Sequence, residues 1–511
     1  MHMYDNPVIS GFHPDPSVCR VGDDYYLVCS SFEYVPGLPL FHSRDLVHWR
    51  QIGNVLDRPG QLPLPVPGAM ASRGLYAPTI RHHDGRFWVI NTNVSGGGNF
   101  IVSAERPEGP WSDPVWIDLP GIDPDLAWEE DGTCWAAFTV PGIHLARIDP
   151  VRGEVLEGPF PTWSGTGLKW PEAPHLYRIG DWWYLLIAEG GTERGHAVSV
   201  ARARSPRGPW EGAPGNPLLS HSATDHPVQS TGHGDLVTAA DGSWWMVLLG
   251  TRPRGYTPNF QVLGRETFLA PVEWDADGWP VMDPVPERHT APGGAWHPVP
   301  ALPARDDFDA PRLAPHWISP YARPDTSWSL AERPGWLTLN ATGGTLDHPG
   351  YTFVGRRQQH HECRVTVRLD PGTGRGGLSV RMDEAHHYDL EVADGQVGVV
   401  ARIGPLRQTV ARCAVEPGPL TLAITVRTTD IVPPSPEFAG IEPTGPDTLA
   451  FWTQDPATPG AAPLAELEGR YLSTEVATGF TGRVIGMYAL DGTVAFDWFD
   501  YEPEADDTLR T

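Results

Sequence analysis

Basic residues are scarce: 37 Lys and Arg stand against 63 Asp and Glu, a formal charge of -26 at pH 7 over 511 residues. A surface of that sign repels phosphate backbones and anionic lipid, so nucleic-acid and membrane-surface partners are excluded as classes. Long hydrophobic runs are missing as well; none reaches the roughly eighteen residues of a membrane span. The opening Met1-His2-Met3-Tyr4-Asp5 lacks the basic-then-apolar order of a secretory leader. Cysteine is sparse, with five residues at 19, 29, 134, 363 and 413, odd in number and without metal-type spacing. Reduced, buried thiols in a cytoplasmic protein are the expectation. There is no Gly-x-Ser-x-Gly elbow and no phosphate-cradling glycine loop leading into a helix, which excludes serine-nucleophile and nucleotide chemistry. Amphipathic helices longer than three turns are also lacking.

What the chain does have is a repeat. Asp15-Pro16-Ser17-Val18, Ala77-Pro78-Thr79-Ile80, Asp123-Pro124-Asp125-Leu126, Ala173-Pro174-His175-Leu176 and His233-Gly234-Asp235-Leu236 each run into an Asp-Gly or Gly-Asp pair. An aromatic apolar strand then follows, such as Trp183-Tyr184-Leu185-Leu186. Strand, tight turn and strand is a hairpin signal. The starts at 15, 77, 123, 173 and 233 are 62, 46, 50 and 60 residues apart. An outer echo accompanies them: Trp49 lies 34 residues after Asp15, Trp111 34 after Ala77, and Trp210 37 after Ala173. A hairpin array of this period predicts a five-bladed β-propeller over residues 1–290. The 56 glycines and 55 prolines are dispersed among apolar runs and read as turns; most of the 21 tryptophans are expected in the core.

A Pro/Gly-rich linker is expected at 291–305. From 306 to 511 period-two stretches such as Cys363-Arg364-Val365-Thr366-Val367 predict a β-sandwich, with the last ten acidic residues frayed. The fold class is therefore all-β: a propeller followed by a sandwich.

Innermost propeller strands line the central channel, so the repeat starts should converge at one mouth of it. They supply Asp15, Asp123, Glu172 (just before Ala173) and His233. Taken singly, an Asp before Pro is a turn former and a lone His a hydrogen bonder. Purely structural slots would repeat one residue, and these differ. Several carboxylates in one mouth suit either a metal or acid/base chemistry. A Ca²⁺ loop would want Asp-x-Asp spacing, and among the repeat starts Asp123-Pro124-Asp125 offers it. Two acids with pKa values pushed apart, roughly 6.5–9.5 Å from one another, would make an inverting glycosidase.

These motifs resemble glycoside hydrolase family 43. The resemblance is carried by Asn6-Pro7-Val8-Ile9-Ser10-Gly11-Phe12-His13-Pro14-Asp15-Pro16-Ser17, Gly121-Ile122-Asp123-Pro124, Pro171-Glu172-Ala173-Pro174-His175 and Leu263-Gly264-Arg265-Glu266-Thr267. Leu472-Ser473-Thr474-Glu475 through Phe496-Asp497-Trp498 resembles the concanavalin- or jelly-roll-like sandwich of that family's β-xylosidase branch. The resemblance implies Asp15 as general base, Glu172 as general acid, and Asp123 as the group that raises and orients the acid. It implies substrate-binding roles for Phe32, Tyr76, Glu189, His233, Arg265 and Phe480, the last reaching over the pocket from the sandwich. Two positions depart from the family's habit: Tyr76 stands where Trp is common, and Gly234 where Ala is common.

The expected function is an exo-acting inverting hydrolase that releases terminal β-1,4-xylose from xylo-oligosaccharides. An α-L-arabinofuranosidase, or an enzyme with both activities, is the alternative, and a non-catalytic carbohydrate-binding propeller is the remote one. No cofactor is required by this chemistry, and the site has no expected metal ligand, although a structural Ca²⁺ in the channel is allowed for. The expected partner is a small oligosaccharide, with a homo-oligomer left open.

Overall fold

The computed structural model describes residues 2–62, 70–256, 258–293, 296–321, 327–429 and 444–504. Residues 505–511, most of the tail expected to fray, lie outside these. Strands dominate, and helix is represented by single turns such as Thr474–Ala477. Contacts divide the chain into two units: 1–68, 73–251 and 265–299, and 69–72, 252–264 and 300–511. The stretch expected as a linker is shared between them. In the first unit Trp296 stacks on His2 and the His297 N–H donates to Asp45; in the second the Ala304 carbonyl accepts from the Tyr501 N–H.

The first unit is a propeller, and among its described residues are five antiparallel sheets of four or five strands, each from one stretch of the chain. Their first strands are Ser17–Val21, Thr79–His83, Ile122–Trp128, Glu172–Ile179 and Gln229–Thr238. Each neighbours the next, and the fifth returns to the first, so they form a closed ring. The expected tight turns are of two kinds. Gly22-Asp23, Asp84-Gly85 and Gly180-Asp181 are two-residue hairpins, with positive φ at Gly22, Asp84, Gly85 and Gly180. Asp131-Gly132 and Asp241-Gly242 sit in longer loops, closed by Glu129 N–H to Thr133 O and Ala239 N–H to Ser243 O. The outer tryptophans cap their own turns: the indole N–H of Trp49, Trp111 and Trp210 donates to the carbonyl of Leu46, Pro107 and Pro206.

Sheets packed on both sides must be apolar on both faces, which explains the unbroken aromatic strands. Trp183, Leu185 and Ile187 face one neighbouring sheet with Trp135 and Leu145. Tyr184 and Leu186, one residue out of phase, face the other with Met246 and Phe268. Burying each such side chain contributes about 1.5–3 kcal/mol.

The ring is closed by the N-terminal segment. Ile9 and Thr267 exchange backbone hydrogen bonds, and Asn6 donates to the Leu269 and Pro286 carbonyls while accepting from the Leu269 N–H. Met3–Asp5 pairs with Arg288–Thr290.

The second unit is a sandwich of two antiparallel sheets. One contains Leu337–Asn340, Thr493–Pro503, Cys363–Asp370, Leu420–Thr428 and Asp447–Trp452; the other contains Thr352–Arg357, Val484–Asp491, Arg375–Asp383, His386–Ala393, Gln396–Ile403 and Leu406–Ala414. Period-two residues from both, among them Val365, Val367, Leu378, Val380, Val399 and Phe496, form its core. Arg483, fully buried, makes a two-pronged ion pair with Asp447 and also donates to the Leu472 and Gly469 carbonyls. Each of the three guanidinium nitrogens is thereby directed at an acceptor.

The propeller axis is polar. Two residues beyond the repeat starts, Ser17, Asp125, His175 and Asp235 point inward on the same strand face. The Arg81 guanidinium lies among them, 2.9 Å from Asp125, 2.8 Å from Asp235 and 3.0 Å from the His175 ring. Asp235 also accepts from Ser17 and Tyr177. Burial would push the Asp235 carboxyl up, but Arg81 outweighs it and holds that carboxyl well below its usual range.

Removing one member of such a cluster leaves buried charge uncompensated, which costs about 3–5 kcal/mol. Arg81→Ala should therefore lower the propeller's calorimetric unfolding midpoint by roughly 10 °C. An unchanged midpoint would show that Asp125 and Asp235 do not depend on that guanidinium.

Candidate active site

One step up the strands from the axial cluster, the backbone changes hand. Asp15, Asp123, Ala173 and His233 have φ of 56°, 53°, 53° and 46°, a left-handed conformation uncommon outside glycine. Three of them sit in register shifts of the ladder, between Ile122 and Asp125, Glu172 and His175, and Gly232 and Asp235. Such a bulge takes a residue out of the pleat and re-aims its side chain. The repeat is thus a device that turns one side chain per strand into the channel mouth. Ala77, the fifth start, is outside this left-handed set. Close packing also fixes the residue before His233: a Cβ at Gly232 would lie 1.7 Å from the His196 ring.

Asp15 is 5 % exposed. Its Oδ1 lies 3.0 Å from Arg265 and 3.3 Å from His233, and its Oδ2 accepts from the Ser30 hydroxyl at 2.5 Å. Burial pushes this carboxyl up; Arg265, His233 and Ser30 together outweigh it and hold it well below the usual carboxylate range. Asp15 is therefore an anion. The same Arg265 nitrogen also donates to Thr192 at 2.9 Å. Burial would lower His233, but the Asp15 hydrogen bond and charge raise it.

Glu172 behaves in the opposite way. Burial first, then the charges of Asp123 and Asp15, push it up to about 8. Asp123, 8 % exposed, accepts from the Ala173 N–H at 3.2 Å and so grips the chain next to the acid. Burial raises Asp123 as well. The structure thus gathers the three expected acids into one electrostatic unit, Asp15 held low and Glu172 raised beside Asp123.

The binding residues divide. Phe32, at φ 51°, and Tyr76 meet edge to face at 5.7 Å, and Arg265 lies over the Phe32 ring. Glu189 differs from the expectation of a sugar ligand. It is 0 % exposed, and its carboxylate accepts from the Thr166 N–H at 3.0 Å and the Thr166 hydroxyl at 2.7 Å. Its acceptor capacity is spent inside the protein, holding the loop that leads to Glu172. Phe480 belongs to the second unit, where its N–H donates to Ser72.

Ser30, Thr192 and the axial set around Arg81 were not anticipated. The axial residues did carry a signal, since they stand two positions after the repeat starts and a strand repeats its facing every two residues. Ser30 and Thr192 lie outside the repeated hairpin and carried none. Among the described residues no group of three or more His, Cys, Asp or Glu could hold a metal ion. Lower on the axis, Asp125 and Asp235 are paired with Arg81.

Comparison with known proteins agrees with this geometry. Residues 4–280 match the model for glycosyl hydrolases family 43, and residues 305–502 match the beta xylosidase C-terminal concanavalin A-like domain. The non-reducing end alpha-L-arabinofuranosidase BoGH43B of Bacteroides ovatus is 41% identical over 98% of this chain and 94% of its own. A xylosidase/arabinosidase of Butyrivibrio fibrisolvens is 38% identical over 80% and 83%. A solved xylan beta-1,4-xylosidase from Bacillus halodurans superposes with a TM-score of 0.87 at 31% identity, covering 98% of this chain and all of that one. With both domains matched and these relatives spanning nearly its whole length, the chain belongs to glycosyl hydrolases family 43, among its xylosidases and arabinofuranosidases.

Proposed function

We propose that this enzyme removes single xylose units from the non-reducing ends of β-1,4-xylo-oligosaccharides, with inversion at the anomeric carbon. The observation that carries the reading is the split between Asp15, held ionised, and Glu172, held protonated, on different strands of one channel mouth. In a single displacement the Glu172 proton passes to the glycosidic oxygen as its bond to the anomeric carbon breaks. A water oxygen bonds to that carbon from the other side and gives its proton to Asp15. A carboxylate held as low as Asp15 is a weak base, so its part is to orient the water and take the proton late. Solvent then reprotonates Glu172, and Asp15 releases its proton.

A second reading, release of α-L-arabinofuranose, is favoured by the Bacteroides ovatus relative. The xylosidase reading is favoured by the match of residues 305–502 to a beta xylosidase domain. The acid/base machinery is the same in both. We place the enzyme in a reducing compartment, in keeping with five free cysteines of which Cys19, Cys29, Cys134 and Cys363 are buried. The proton transfers as written call on no metal or organic cofactor.

Xylobiose and linear arabino-oligosaccharides, followed by NMR, should release a pentose of inverted configuration, xylose the faster; retained configuration would refute both carboxylate roles. Asp15→Ala should lower kcat by about 10³-fold or more while the binding of free xylose changes little. The sign at Asp123 is definite. Its charge raises Glu172, and Glu172 acts in its protonated form, below its pKa. Asp123→Asn should therefore move the alkaline limb of the kcat/KM profile from near 8 to lower pH. An alkaline limb left in place would remove Asp123 from that role.

A further inference from the structure

Glu189 raises a question that the catalytic roles leave open: why a fully buried carboxylate should anchor a surface loop. The loop, residues 164–171, is tied at both ends. Glu189 holds Thr166, and the Gly190 N–H donates to the Lys169 carbonyl at 2.7 Å. The Lys169 ammonium is paired with Glu193. What these ties present is Trp170, which is 69% exposed and has φ of 54°. A left-handed backbone is unfavourable for a bulky aromatic residue, and an exposed indole gives up its burial too. Both departures occur in one residue, and the surrounding anchors sustain them.

The place of that residue points to its use. One residue, Pro171, separates it from Glu172, so the two Cα atoms lie at most about 7 Å apart. Glu172 gives its proton to the oxygen of the departing sugar, so that sugar must lie against the chain that carries the acid. An indole face suits the apolar C–H face of a pyranose, while the neighbouring Lys169 and Glu193 can meet its hydroxyls. Resting on the glycosidase reading above, we infer that Trp170 is the stacking platform for the leaving-group saccharide. Glu189 is then its positioning residue, acting through Thr166. This gives Glu189 a part in substrate recognition although its own carboxylate is sealed in the protein.

The test compares two leaving groups in Trp170→Ala and Trp170→Phe. Xylobiose carries a sugar to stack; β-xylosyl fluoride carries none, and fluoride departs without a proton from Glu172. The corresponding arabinofuranosyl pair is run in parallel. In Trp170→Ala, kcat/KM on the disaccharide should fall on the order of tenfold, mainly through KM, with fluoride turnover within about twofold of the parent enzyme. Trp170→Phe should recover most of the loss. An equal fall on both substrates, or no fall on either, overturns the inference. A parent enzyme that turns over neither the disaccharides nor the fluorides refutes the glycosidase reading, and this inference with it.

Discussion

The pairing of Arg81 with Asp125 and Asp235 is the interaction on which the propeller depends. Five first strands cannot converge on an axis without bringing their inward-facing residues together, and here two of those residues are carboxylates with no exposed surface. Their mutual repulsion would be severe in so dry a place. One guanidinium, itself supplied by a first strand, bridges both and also meets His175. The carboxylates beneath the mouth are thereby held apart from those that form it.

That separation of levels explains how neighbouring acids take opposite states. Asp15 and Asp125 are both buried carboxylates beside a guanidinium. Asp15 has Arg265, His233 and Ser30, and is ionised. Glu172 and Asp123 lie in a low dielectric, burial pushes both up, and the charge of Asp123 raises Glu172 further. No acid here is special in type. Which cation it reaches decides what it does.

Much of this could be read from residues alone, and the pattern of success is physical. The repeat was legible because identical hairpins need identical turn chemistry, down to the indole caps at Trp49, Trp111 and Trp210. Asp15, Asp123 and Glu172 were legible because the repeat put unlike residues in equivalent slots. The left-handed backbone at Asp15, Asp123 and Ala173 was not, since an X-Pro pair reads as an ordinary turn. The bond from Thr166 to Glu189 was not legible, because a strand-end glutamate looks the same whether it faces a sugar or a threonine hydroxyl, and Thr166 lies 23 residues away. The second unit's share of the chain was hidden too, because 69–72 and 252–264 lie inside the propeller's sequence but group with the sandwich.

The N-terminal segment that closes the ring sets a clock on the enzyme's birth. Asp15 is made well before its ion-pair partner Arg265, which comes 250 residues later. At ordinary synthesis rates that interval is roughly ten to fifty seconds. Through it the future base stands without its guanidinium, and the strand that bears it has no fifth sheet to close against. A ribosome-bound fragment that stops short of Thr267 therefore lacks both the seam and the charge pair. Catalytic competence in this fold arrives at once, with the meeting of the two ends of the ring, and does not grow sheet by sheet.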